Sequence, residues 1–99
     1  MTEFLPAEEL QELRRIASEW LADNAESLGL PMSGYVTVFD GHGSGWKKDL
    51  SRPETEVPGA YAVDVETGDV FLADGFDQFR GAEQWLRIEE MAKKRSCRR

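Results

Sequence analysis

Cysteine and histidine are almost absent from this chain. Its 99 residues include one of each, Cys97 and His42. A lone cysteine excludes an internal disulfide, and one histidine without clustered cysteines argues against a zinc site. Long apolar runs are missing too: stretches such as YVTVF (35–39) are far too short to cross a bilayer. Basic residues are scarce until the very end. Residues 1–92 hold all 19 acidic side chains but only seven Lys or Arg, a net charge near −12, and five basic residues then crowd into 93–99. Such an acidic body repels nucleic acid directly and favours basic partners. The opening residues, MTEFLPAEEL, are acidic where a secretory signal needs positive charge and a long apolar stretch. The expectation from these absences is a cytoplasmic protein with no membrane segment, no metal and no cofactor.

What is present suits one small folded domain. Apolar residues make up 40% of the chain and include five Phe, three Trp and two Tyr, which argues against disorder. A chain of this length buries roughly 60–65% of its unfolded surface, enough for a single core. There are no internal repeats and no low-complexity tract. Residues 1–94 read as a single α+β domain and residues 95–99 as a basic, disordered tail.

Helical periodicity runs from about Ala7 to Leu28. Pro6 suits a helix start, and Glu8 and Glu9 suit the positive end of the helix dipole. Leu10, Leu13, Ile16, Ala17, Trp20, Leu21 and Leu28 form one apolar stripe, and Gly29 then provides a left-handed cap followed by Pro31. YVTVFD (35–40) is β-branched and aromatic and reads as a strand. Residues 47–58, KKDLSRPETEVP, read as a long irregular connection or a poor edge strand. AYAVDVE (60–66) alternates, with Tyr61, Val63 and Val65 facing one way, and Thr67-Gly68 turns it back into DVFLA (69–73) as a hairpin. A second helix is expected from Phe79 or Gly81 to Lys94, using Trp85, Leu86, Ile88 and Met91 as core contacts and ending in Lys93, Lys94 and Arg95. The order is α-β-β-β-α: a small antiparallel meander packed against a long N-terminal helix, with a C-terminal helix.

The stretch FDGHGSGWKKD (39–49) invites a chemical reading and does not sustain one. Its G-x-G-x-G spacing fits neither the dinucleotide fingerprint nor the phosphate-binding loop, and no helix begins after it. His42 and Ser44 are the best candidate catalytic pair, but no rigid element holds an orienting carboxylate beside them. A flexible connection between strands is the expected reading. Trp46 either folds back onto the sheet or, if exposed, offers a binding anchor. Asp40, Asp64, Glu66, Asp69, Asp74 and Asp77 do not follow the spacing of a calcium loop and suit turns.

The face of the first helix opposite the apolar stripe carries Glu8, Glu12, Glu19, Asp23 and Glu26, with Arg15 the only relief. It reads as a solvated face or as a docking face for a basic partner.

Residues 59–89, GAYAVDVETGDVFLADGFDQFRGAEQWLRIE, contain Val63-Asp64, Thr67-Gly68 and Val70 in the pattern V-D-x-x-T-G-x-V. With the leading helix, Gly45-Trp46 and the pair Trp85-Leu86, the chain resembles the YrhB-like immunity proteins of bacterial polymorphic toxin systems. Those are small α+β proteins with a leading amphipathic helix, a Gly-Trp segment, such a hairpin and a short closing helix. Where the family continues into a regular strand after Gly-Trp, this chain has KKDLSRPE. The resemblance implies binding and neutralising a toxin domain, with some relatives chaperone-like, and implies no catalytic residue.

The expectation is therefore a non-enzymatic, acidic protein that neutralises a protein partner with a basic surface. Its candidate contacts are Glu12, Glu19, Asp23 and Glu26 on the helix, and Trp46, Asp64, Glu66 and Asp69 at the sheet end. A phage-encoded inhibitor of a host defence complex, mimicking the charge of nucleic acid, and a holdase chaperone are the alternatives.

Overall fold

The leading helix is built as its sequence dictates. In the computed structural model, which describes residues 2–75, 77 and 79–90, helix α1 spans Ala7–Leu28. Pro6 is extended and caps it, its carbonyl accepting the amides of Glu9 and Leu10 at 3.1 Å each. Gly29 ends it at φ 68°, with the amides of Gly29 and Leu30 donating back to the carbonyls of Glu26 and Ala25. Those two bonds satisfy carbonyls the helix would otherwise leave open. Leu10, Leu13, Ala17 and Leu21 are buried, each contributing up to about 1.5–3 kcal/mol for a large side chain. Leu28 departs from the expected stripe and is 57% exposed; the Gly29 cap instead turns Leu30 back against the core.

The sheet is larger than the sequence reading. Six strands replace the expected three-stranded meander: β1 Thr2–Leu5, β2 Tyr35–Phe39, β3 His42–Lys47, β4 Tyr61–Asp64, β5 Val70–Asp74 and β6 Gln84–Glu90. They lie in the order β1-β6-β5-β4-β2-β3, and the sheet is mixed because β1 runs parallel to β6 while the other neighbours are antiparallel. The chain is thus α+β, with one N-terminal helix on a six-stranded mixed sheet.

The expected second helix is not formed over residues 84–90. Strand β6 occupies them, pairing Leu86 with Leu72 and Ile88 with Val70. Leu86 and Ile88 are buried while Arg87 is exposed, a period of two rather than 3.6. The remainder of that expected helix, from Met91 to Lys94, and the basic tail at 95–99 lie outside the described residues.

The glycine stretch is also corrected: it is a hairpin, not a flexible connection. Asp40 and Gly41 adopt φ 55° and 80°, the two positive values that a tight two-residue turn between antiparallel strands requires. Beyond them β3 pairs with β2 from His42 to Lys47, with one irregularity at Thr37/Val38. Gly43 serves packing here: a Cβ on it would run into the Trp20 ring. The helix reaches this outer strand only because the strand has no side chain at that point.

The β4–β5 hairpin stands as expected, with Val63 opposite Val70 and Tyr61 opposite Leu72. Tyr61, Val63 and Val65 all join the helix-side core, whose buried members include Val36, Val38, Val63, Val70 and Ile88. Residues 48–60 form an irregular connection, with one 3-10 turn at Pro53–Thr55. This connection closes part of the opposite face. The Ala82 amide donates to the Glu56 carbonyl at 2.9 Å, Lys47 pairs with Glu56 at 3.2 Å, and Val57 and Trp85 pack on Ala60, Ala73 and Ala82. Among the described residues, no helix is long and apolar enough to cross a membrane.

Gly43→Ala is expected to destabilise the fold by about 1–3 kcal/mol, because the added methyl meets the root of the Trp20 ring rather than a swinging tip. Urea unfolding measures this. Against a Trp20→Ala background the same change should cost much less, and equal costs in both backgrounds would refute the contact as the cause.

Candidate functional site

The candidate residues separate into two places. On α1, Arg15 lies between two of the expected acids: it forms an ion pair with Glu12 and a second with Glu19 at 2.9 Å. The Arg15 hydrogen bond, helped by its charge, holds the Glu12 carboxyl below the usual range. Asp23 and Glu26, further along the same helix, are exposed. Neither forms an ion pair with a described residue, and the last turn of α1 contains no basic side chain. Glu12 also borders a small cleft of about 180 Å³, together with Leu13, Ile16, Gly41 and Tyr61.

The second place is an open groove of about 500 Å³ at one end of the sheet. Its walls come from the loop after α1 (Pro31, Ser33, Gly34), the start of β2 (Tyr35), the end of β3 and the residue after it (Trp46, Lys48), and the end of β4 with the turn that follows it (Asp64, Glu66). Trp46 is half-buried and fixed. Its indole N–H donates to the Ser33 carbonyl at 2.7 Å, and a Cβ on Gly34 would lie 2.7 Å from its ring. Gly34 has φ 87°, and its carbonyl accepts the Val65 amide at 3.1 Å, which ties the loop to the end of β4. Trp46 therefore folds back onto the structure while still forming part of the groove wall.

Asp64 has a structural duty as well as a place in the wall. Its Oδ1 accepts the amides of Glu66 at 2.9 Å and Thr67 at 3.3 Å, which shapes the turn into β5. Glu66 is exposed. Tyr35 packs edge-on against Phe71, ring centres 6.1 Å apart. Burial, followed by the negative charges of Asp64, Asp69 and Asp49, pushes the Tyr35 phenol up from its ordinary value. Asp69, the fourth residue expected at the sheet end, does not line the groove: its carboxylate pairs with Arg87 at 3.1 Å.

The structure thus brings Trp46, Asp64 and Glu66 together, sets Asp69 beside them under Arg87, and leaves the helix acids as a separate surface. Pro31, Ser33, Gly34, Tyr35 and Lys48 were not anticipated at the site. The legible signal was Ser-Gly directly before a strand, the kind of punctuation that marks a close backbone approach. His42 and Ser44 both sit exposed on β3, and the Ser44 hydroxyl shares a 2.8 Å hydrogen bond with Thr37. Among the described residues, no three His, Cys, Asp or Glu side chains are grouped to hold a metal ion. No protein-family model, curated protein or solved structure matches this chain.

The Tyr35 phenol is expected to ionise above 10.0 in the folded protein. The sign follows from linkage: a group that holds its proton more tightly when folded contributes stability below its unfolded value, and that contribution is lost as pH rises through the folded one. Alkaline titration of the phenolate absorbance, with Tyr35→Phe to assign it, checks this. A Tyr35 signal at or below the ordinary tyrosine value would contradict the burial of this phenol beside the carboxylates.

Proposed function

We propose that this chain is a non-enzymatic acidic binding protein that neutralises a protein partner through a basic surface of that partner, in the manner of a toxin-immunity protein. The observation that carries the reading is the groove at the sheet end. It gathers an anchored tryptophan and two carboxylates in one concave place, close to further acids, on a chain whose described body is strongly acidic. Aromatic side chains at the centre of a contact supply much of its energy, and surrounding charge speeds the encounter and selects the partner. The exposed acids of α1 add a second negative surface, of which Arg15 neutralises part. The resemblance to immunity proteins supports the same direction. The row Glu12, Glu19, Asp23 and Glu26 also suits an inhibitor that presents carboxylates where a defence complex expects phosphates, so the partner's identity separates these two forms of the reading.

Capture of the tagged full chain from its native cell, with sizing of the complex, should yield one stoichiometric folded partner. A spread of unrelated unfolded clients would favour a holdase and overturn the proposal. With the partner in hand, Glu66→Lys should slow association at low salt by about tenfold, within the 10–10³-fold range that steering provides. Glu19→Lys with Asp23→Lys should slow it if the helix face also docks, and Arg15→Gln should then speed it. On-rates insensitive to all of these would remove electrostatic docking.

A further inference from the structure

We infer that the sheet-end groove receives an arginine side chain presented on an exposed loop of the protein partner. The partner's existence rests on the binding reading above; the groove's preference for a guanidinium stands on its own lining.

The first argument is the balance of donors and acceptors. Asp64 uses one carboxylate oxygen, Oδ1, on the Glu66 and Thr67 amides, and no hydrogen bond or ion pair among the described residues occupies the Glu66 carboxylate. Both side chains line the groove. The ligand that complements them donates hydrogen bonds and carries positive charge. Burial first, and then the negative charges of Asp64, Asp69 and Asp49, favour the neutral Tyr35 phenol, so the carboxylates around the groove act on it with one sign.

The second argument is shape. Trp46 and Tyr35 line the same groove as the carboxylates. A guanidinium is planar, stacks on aromatic rings and offers a fork of donors matched to carboxylates, whereas an ammonium is a compact, strongly hydrated point charge. A volume of about 500 Å³ is within the range of clefts that hold organic groups, so it admits a long side chain with its flanking backbone. The third argument is rigidity. The indole bond to the Ser33 carbonyl and the bond from the Val65 amide to the Gly34 carbonyl fix the wall before any ligand arrives, which lowers the ordering cost of binding. Lys48 is the cation of the lining, and its charge works against the proposed guest.

The test uses the full chain and N-acetyl-arginine amide as the probe, followed by backbone and indole NMR shifts, with N-acetyl-lysine amide in parallel. Saturable shifts centred on Gly34, Tyr35, Glu66 and the Trp46 indole, tighter for the arginine probe, are expected. Glu66→Gln should weaken binding about two- to fivefold and Lys48→Ala should strengthen it by a similar factor, the scale of partly exposed ion pairs. Absence of shifts, shifts centred on Asp23 and Glu26, an equal response to the lysine probe, or indifference to Glu66→Gln would each overturn the inference. The two readings fail separately. A captured partner whose association the arginine probe does not compete leaves the binding function standing without this groove. A groove that takes the probe in a chain that captures no partner leaves the groove standing without that function.

Discussion

One helix has to cover one face of six strands, and that mismatch of widths governs the structure. A helix with its side chains is about 10 Å across, while six strands at about 4.8 Å spacing make a sheet roughly 24 Å wide. Helix α1 therefore packs toward the β3 side of the sheet, on β5, β4, β2 and β3 and most closely on β2, and extends its reach with two long side chains. Trp20 lies over Gly43 on the outer strand β3, and the Arg14 guanidinium donates to the Gly68 carbonyl at 2.7 Å in the β4–β5 turn. The other face has no helix among the described residues. The irregular connection 48–60 crosses it and buries the alanine-lined patch near β5 and β6. The groove lies just past the C-terminal cap of α1, where helical coverage has ended and the chain is returning to the sheet.

Two tryptophans meet this constraint in the same way, each against a glycine. Trp20 needs Gly43 so that the helix can close on an edge strand, and Trp46 needs Gly34 so that the loop after the helix can close on β3. The first contact is purely a matter of packing. The second leaves part of the indole in the wall of a concave surface, although the ring is hydrogen-bonded to Ser33, closely approached by Gly34 and packed against the core. The groove thus arises from the solution to a packing problem, which is why no motif spacing marks it in the sequence.

This explains which features could be read from residues. Helix α1 and the β4–β5 hairpin were legible because their signals are local: a 3.6-residue stripe, a capping glycine and a Thr-Gly turn. Strand β6 was not. Gln84, Leu86, Arg87, Glu89 and Glu90 are good helix formers, and only pairing with β5 on one side and β1 on the other makes their alternation decisive. The β2–β3 hairpin departs from the flexible connection that its glycines suggest, because Asp40-Gly41 is a specific turn signal and Gly43 a specific contact. At the candidate site, Asp64 and Glu66 stand out because they flank the turn of an evident hairpin, and Trp46 because a tryptophan in a glycine-rich stretch offers an anchor. Tyr35, Lys48 and the Ser33-Gly34 wall do not, since only strand register brings them opposite those carboxylates. Asp69 is withdrawn by Arg87, a partner that exists there only once β6 is a strand.

The distribution of charge follows the same geometry and gives the molecule a negative end. At the start of α1, Glu8 and Glu9 are matched by the positive pole of the helix dipole, and Arg15 offsets Glu12 and Glu19 one turn on either side. Nothing comparable happens at the other end. The last turn has no basic residue to balance the negative pole, Asp23 and Glu26 have no ion pair among the described residues, and the chain then leads through Pro31 and Ser33 into a groove bearing Asp64 and Glu66. The two ends of α1 therefore differ: at its start the acids meet the positive pole of the dipole and a basic neighbour, and at its end Asp23, Glu26 and the negative pole are left unbalanced among the described residues.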